Sequence, residues 1–411
     1  MADSSETVSD DAGSVDPGAT RPASLNEVPV LLFIRGFAFL TVMMAVVVGL
    51  HWYLGARLLR DSGLAEPFAS AGWTGLWVCF GSIFAGFIGG RLLPRPIAKV
   101  LQWIGFTWMG AFGLLIASTA FSDLVLGLAG RFTTVDATWL AWRAVVIAGV
   151  VVPALVGGFV VARKPAIKRV TVSIAGLPEA FEGYRIAQIT DVHIGETLTR
   201  TFAAHVTSIV NSLNADAVAV TGDMIDGSVA KLRDAVAPLA GLRGRDGVFY
   251  VTGNHEYYHG GSSWEAEGAR LGMTVLHNQH VVIERNGQQL VIGGVPDVEG
   301  GRFSAQHEPD AAKTFEGAPA GAPRVLLAHQ PRFAKRVKDT RVDLMLSGHT
   351  HGGQIFPFMV FVKLQQPVIG GFATLWGVPT YTSNGTGYWG PPFRIGPRGE
   401  VTEVTLVRAK G

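Results

Sequence analysis

Two hydrophobic patterns divide this chain. Up to residue 162 the apolar positions form long unbroken runs: Gly36 to Ala56, Ser70 to Gly90, Val100 to Ser122 and Ala144 to Ala162 hold no charged side chain apart from a proton on His51. Each run is about a bilayer thickness of helix, roughly 20 residues, and lacks the polar face of a helix buried in a soluble core. The pattern predicts four transmembrane helices. After residue 169 the runs shorten. Tyr184 to Thr190, Ala215 to Thr221, Gly247 to Thr252, Arg324 to Ala328 and Val342 to Ser347 are β-branched or aliphatic and end in polar residues, as buried strands do. Phe202, Val206, Ile209, Val210 and Leu213 follow helical spacing, and the stretch from Glu400 alternates with the period of a half-buried strand.

Composition agrees with a membrane part. Mean hydropathy is +0.31 with only 16% charged residues, too apolar for an ordinary soluble enzyme. Trp52, Trp73, Trp103, Trp139 and Trp142 fall near expected helix ends, where an indole meets the headgroups. Gly81, Ala85 and Gly89 recur every four residues, a spacing that suits close helix contact, and Pro153 is expected to kink the fourth helix. Arg35 and Arg143 are expected at helix ends, snorkelling to the interface. With the amino terminus inside, eight Lys and Arg flank the helices on that side against three outside. That bias places the chain in the cell membrane with the part after residue 169 facing the cytoplasm. Residues 1–28 are acidic and lack an apolar face, and are expected to be a disordered tail without a cleaved signal. The domain boundaries follow: the tail at 1–28, the membrane region at 29–162, a basic linker at 163–169 and a second domain at 170–411. The single cysteine, Cys79, excludes a disulfide framework, and a net charge of +2 gives no reason to expect nucleic acid.

The chemistry lies at the ends of the short strands. Asp191-Val-His193, Gly222-Asp223-Met-Ile-Asp226, Gly253-Asn254-His255-Glu256, His329 and Gly348-His349-Thr-His351-Gly-Gly each follow an apolar run. In a layered α/β sheet such tips gather at one edge. Imidazole, carboxylate and amide oxygen without thiolate favour Mn, Fe or Zn, and the number of donors suits two ions.

In that order the five clusters resemble the calcineurin-like metallophosphoesterase superfamily, and the G-D-M-I-D, G-N-H-E-Y-Y and G-H-T-H-G-G-Q stretches look like its YkuE-type branch. The resemblance covers about residues 170–411 and implies a four-layer αββα sandwich behind the multi-pass α-helical membrane region. By similarity Asp191, His193 and His351 would hold one divalent ion, Asn254, His329 and His349 the other, and Asp223 would bridge them. Asn254 would also touch substrate. His255 would protonate the leaving group with Asp226 orienting it; alternatively Asp226 only caps the following helix. Glu256, Tyr257 and Tyr258 would shape their loop. Arg394 matches a C-terminal arginine of the branch, and would bind phosphate or pair with a carboxylate.

His205, His277, His280 and His307 fall outside these motifs and are expected at the surface or in packing, and His259 in an exposed loop. The apolar stretch from Ile355 to Trp376, too interrupted to span a bilayer, is either a greasy rim for a lipid-linked phosphate or a strand and loop of the core. The activity implied is hydrolysis of a phosphomonoester, phosphodiester or pyrophosphate bond of a phosphorylated small molecule or lipid-linked substrate. The alternatives are an anchored enzyme for a soluble nucleotide and a non-catalytic membrane sensor.

Overall fold

The computed structural model describes residues 27–337 and 339–409. The expected tail lies outside them except for Glu27 and Val28, which already belong to the first helix. Four helices carry the apolar runs: α1 (Glu27–Gly55), α2 (Phe68–Leu92), α3 (Arg95–Ala129) and α4 (Ala137–Ala162). All four are long and apolar enough to cross a membrane. They overrun the apolar runs because caps, not hydropathy, set their ends. Pro96 lies in the first turn of α3, where a missing N–H costs nothing. Asp136 starts α4 by accepting from the Thr138 and Trp139 amides.

The extension of α3 and α4 carries charge into the helices. Arg143 does not snorkel from a helix end. It lies in the second turn of α4, is 5% exposed, and pairs with Asp123 of α3 at 2.9 Å and with Asp61 at 3.6 Å. Arg57 reaches the same two carboxylates, each at 3.0 Å.

Among the described residues, those up to Tyr53 form one compact unit, and those from Leu54 onward form a second. Within the second, α2 and α3 are tightly apposed at glycine. A Cβ on Gly105 would lie 2.2 Å from the Ser82 carbonyl, and one on Gly86 3.2 Å from that of Leu101. Gly81 has nothing within 4 Å, whereas a Cβ on Gly89 would lie 3.2 Å from the Leu101 side chain, so Gly86, Gly89 and Gly105, rather than Gly81, make the close approach.

Beyond the helices come two six-stranded sheets. The first contains β1 (Ala166–Ile174), β2 (Tyr184–Ile189), β3 (Ala217–Thr221), β4 (Val248–Val251), β5 (Thr274–Val275) and β12 (Glu400–Arg408), in the order β1-β12-β2-β3-β4-β5. The second contains β6 (Gln279–Arg285), β7 (Gln288–Gly294), β8 (Arg324–Leu327), β9 (Leu344–Ser347), β10 (Gly371–Leu375) and β11 (Val378–Thr382), in the order β10-β11-β9-β8-β7-β6. β2, β3 and β4 run parallel, as do β7, β8 and β9. β1 begins inside the expected linker, because Ala166–Arg169 pair with Glu400–Glu403 of β12.

One core lies between the sheets, where Ile186, Phe249 and Val404 meet Ile292, Val325 and Leu346. The outer face of the first sheet is covered by α5 (Arg200–Ser212), α6 (Val229–Val236) and α8 (Gly261–Arg270), through Val206, Leu232 and Trp264. The other outer face packs on Phe315 and Phe333, next to α9 (Ala311–Thr314). The short α7 (Asn254–Tyr258) follows β4, and α10 (Met359–Gln365) follows the His349 motif. This is the αββα sandwich the resemblance implied.

The sandwich packs directly on α3 and α4. Ile355 and Phe393 form a buried cluster with Leu114, Ile147 and Val151. Small residues on the helices admit them. A Cβ at Gly110 would meet the Phe393 ring at 2.8 Å, one at Gly113 the Phe358 ring at 2.2 Å, and one at Gly158 the Ile395 side chain at 2.7 Å.

Candidate metal centre

Five loops at the carboxyl ends of β2, β3, β4, β8 and β9 bring the sequence clusters together. The loops turn sharply. Asp191, His193, Asp223, His349 and His351 all adopt left-handed backbone, with φ between 50° and 71°, a conformation that non-glycine residues hold only where the surroundings enforce it and that gathers at functional sites. Glycines leave room beside them. A Cβ on Gly253 would lie 2.2 Å from Asp223 Oδ1, and one on Gly348 2.3 Å from Asp191 Oδ2. Glu256, fully buried, accepts from the amides of Asp223 (3.0 Å), Met224 (2.7 Å) and Gly253 (2.6 Å). It thereby clamps the β3 and β4 loops together.

Two donor groups result. Donor atoms of Asp191, His193 and His351 lie within 4.8 Å of one another, and so do those of Asp223, His329 and His349. His193 Nε2 is 3.1 Å from His351 Nε2, and His329 Nε2 is 3.2 Å from His349 Nδ1. Two imidazole nitrogens face to face need a proton or a metal between them. The far nitrogens are spoken for: His193 Nδ1 lies 3.0 Å from Asp226 Oδ1 and His329 Nδ1 2.8 Å from the Thr221 carbonyl, the outer bonds that aim a metal-binding imidazole. Asp223 sits between the groups, its Oδ2 3.1 Å from His329 Nε2 and 3.8 Å from His193 Nε2. Among the described residues Asn254 Oδ1 is buried with no hydrogen-bond partner, a costly state that a cation would relieve. Donor set, inward lone pairs and orphaned amide oxygen all fit divalent metal.

Charge supports the same reading. Burial, and then the neighbouring His329, lowers His349 to about 3, while burial and His193 hold His351 well below its usual range. Both shifts favour the neutral imidazole, the form that has a lone pair to give. Burial alone would lower His255, but Asp223 and Asp226 outweigh it and raise it to about 9. Burial would raise Asp226, yet His193 and His255 hold it below the usual carboxylate range.

His255 and Asp226 meet at 2.6 Å, through His255 Nδ1 and the oxygen that also faces His193. The following helix, α6, has Ser228 at its N-cap position, so capping does not account for Asp226. Arg394 is 2% exposed. Its guanidinium donates to the carbonyls of His351 (3.0 Å), Asn384 (2.7 Å) and Gly387 (2.6 Å), and Nη2 lies 3.4 Å from His351 Nδ1.

A cavity of about 490 Å³ opens over the centre, lined by Asp223, Asn254, His255, His349 and His351 and by Tyr258, Ile355, Phe358, Val362 and Trp389. Met109 of α3 lines it too. Nothing in a helical apolar run marks Met109 out; only the docking of the sandwich against α3 does. Gln354 closes the G-H-T-H-G-G-Q stretch. Its amide donates to the Trp389 and Pro391 carbonyls at 3.0 and 2.9 Å and so fixes the segment that faces α3. Phe356, Phe361 and Trp376 are 55%, 62% and 49% exposed, so the core alternative does not hold for them. His277 and His307, which fall outside the strand-end motifs, meet each other and Glu265.

The family model for calcineurin-like phosphoesterases matches residues 184–353. A Bos taurus protein named transmembrane protein with metallophosphoesterase domain is 34% identical over 388 residues, 87% of this chain and 86% of its own. The chain belongs to the calcineurin-like metallophosphoesterases. A Danio rerio metallophosphoesterase of the same name is 36% identical over 259 residues, 60% of this chain and 59% of its own, so the match spans less than two thirds of that relative. The metallophosphoesterase YkuE of Bacillus subtilis is 29% identical over 248 residues, 57% of this chain and 83% of its own. As a metallophosphoesterase with four apolar helices, the protein is a membrane-associated, metal-dependent phosphoric ester hydrolase.

Proposed function

We propose that this enzyme cleaves a phosphoester or pyrophosphate bond of a lipid-linked substrate that enters from the bilayer. The observation that carries the reading is the cavity, which joins metal-ligating side chains to Met109 in the middle of an apolar helix. Met109 lies nine residues beyond Val100, where the apolar run of α3 starts, or roughly 13 Å along the axis at 1.5 Å per residue. A substrate whose phosphate reaches Asn254 and His349 then has its apolar part between α3 and the Phe358–Val362 rim, where burying it is favourable.

Asp191, His193 and His351 would hold one divalent ion, Asn254, His329 and His349 the second, with Asp223 shared. Bound there, the ions would supply a water nucleophile at neutral pH and neutralise phosphate charge. The chain's own groups do the rest. Asn254 and the Asp223 loop place the phosphate. His255, with Nδ1 held by Asp226 and Nε2 3.9 Å from Asp223 Oδ2, gives its Nε2 proton to the departing oxygen. Arg394 serves as a positioning residue for His351, since carbonyls take up its guanidinium. The rim excludes bulk water on the helix side. The charge bias of the helix flanks supports a cytoplasmic catalytic domain.

The test is a substrate panel on detergent-purified, metal-loaded protein. Lipid phosphates and lipid-linked nucleotides are expected to exceed soluble nucleotides in kcat/KM by at least tenfold. Equal or higher kcat/KM for the soluble nucleotide would replace the lipid reading with that of an anchored nucleotide hydrolase.

A further inference from the structure

A second cluster of metal-binding side chains lies beside Tyr257 of α7, apart from the residues that line the cavity, and no role in phosphoester hydrolysis uses it. Glu265 of α8, His277 of the β5–β6 connection and His307 of the 3₁₀ turn Ala305–His307 bring donor atoms within 4.8 Å of one another. His277 Nδ1 is 2.7 Å and His307 Nδ1 3.7 Å from Glu265 Oε1. The two imidazole rings meet edge to face, with centroids 4.6 Å apart.

For His277 the outer hydrogen bond fixes which nitrogen points inward. His277 Nε2 is 2.9 Å from the Gln306 carbonyl, which only accepts, so that nitrogen carries the proton. His307 Nε2 faces Ser262 Oγ at 3.3 Å, and its Nδ1 faces the Tyr257 hydroxyl at 2.9 Å. His277 Nδ1 then offers its lone pair to Glu265 Oε1, and His307 Nδ1 is shared between that oxygen and the Tyr257 hydroxyl. A bare imidazole nitrogen and a carboxylate oxygen 2.7 Å apart repel unless a cation lies between them, whether a proton or a metal. Ligands about 2.0–2.1 Å from a tetrahedral ion stand about 3.3 Å apart, between the two separations seen. An imidazole aimed by a carbonyl at its other nitrogen is the outer arrangement of metal sites generally.

We propose that Glu265, His277 and His307 form a third metal site, selective for zinc, in addition to the catalytic pair. Two imidazoles and one carboxylate are a donor set for zinc with a position left for water. The site joins α8, the β5–β6 connection and the 305–307 turn. Tyr257, hydrogen-bonded to His307, belongs to the same five-residue helix as Asn254 and His255. An ion here braces the substrate-facing loop from behind and leaves the catalytic ligands untouched. With side chains 10–25% exposed, the site is open to exchange.

The experiment counts zinc in full-length detergent-solubilised protein after zinc loading and gel filtration. Wild type is expected to hold one ion more per chain than Glu265→Gln and His277→Ala. Both variants should retain hydrolysis of a nitrophenyl phosphoester within about twofold. In the Asp223→Asn protein, added zinc should still raise the melting temperature, and in Asp223→Asn combined with Glu265→Gln it should raise it less. Equal zinc content in wild type and both single variants would overturn the site. A wild-type total short of three with the one-ion difference kept would count against the catalytic pair instead.

Discussion

At the residue scale, the centre depends on side chains whose backbones the loops force into left-handed turns. Asp223 faces a histidine of each donor group, so Asp223→Asn should bring hydrolysis below detection and lower metal content. Metal analysis beside a nitrophenyl ester assay checks this, and full activity in the variant would exclude a shared carboxylate. His255 belongs to neither ligand set, so His255→Ala should keep its metal and lose turnover by about 10²–10⁴-fold, the usual worth of a general acid. That loss should shrink for nitrophenolate and grow for alkoxide leaving groups; a loss independent of the leaving group would rule out proton donation. For Arg394, the hydrogen bonds go to the protein's own carbonyls. Arg394→Lys should therefore melt several degrees lower, since removing a buried hydrogen bond to a charged group costs about 1.5–3 kcal/mol. Its inhibition by inorganic phosphate should match wild type, whereas a phosphate-binding arginine would weaken it.

At the scale of elements, the rim and α3 act as a pair. Phe356, Phe361 and Leu364 are exposed at 55%, 62% and 79%, so changing all three to Ser should leave the melting temperature in place. Activity on a lipid-linked substrate should fall at least tenfold more than on a nitrophenyl ester, because burying one large apolar side chain against an acyl chain is worth about 1.5–3 kcal/mol. An equal fall on both substrates would detach the rim from lipid recognition. Phe358 behaves differently, since it packs against Gly113 of α3. The sequence showed the apolar stretch from Ile355 to Trp376 but not which of its residues face the helix, because that depends on the meeting of segments about 250 residues apart.

At the scale of the molecule, α2, α3 and α4 are one compact unit with the hydrolase rather than a tether to it. Small residues at Gly110, Gly113 and Gly158 let the sandwich dock. The topology expected from flanking charge is tested by single cysteines in the 61–66 and 131–136 loops, which should react with an impermeant reagent in intact cells. A cysteine in the catalytic domain should react only after permeabilisation. Labelling of the domain in intact cells would reverse the orientation.

The sequence by itself determined the four helices, the strand set and the strand-end clusters of Asp, Asn and His. Apolar runs of bilayer length and strand-end motifs are local patterns, readable without knowing what they touch. The tertiary structure decided the rest: the ion pairs that bury Arg143, the carbonyls that claim Arg394, the exposed rim, the entry of Met109 into the cavity and the meeting of Glu265, His277 and His307. Each joins residues from separate elements, and a meeting of that kind has no spacing in the sequence to announce it.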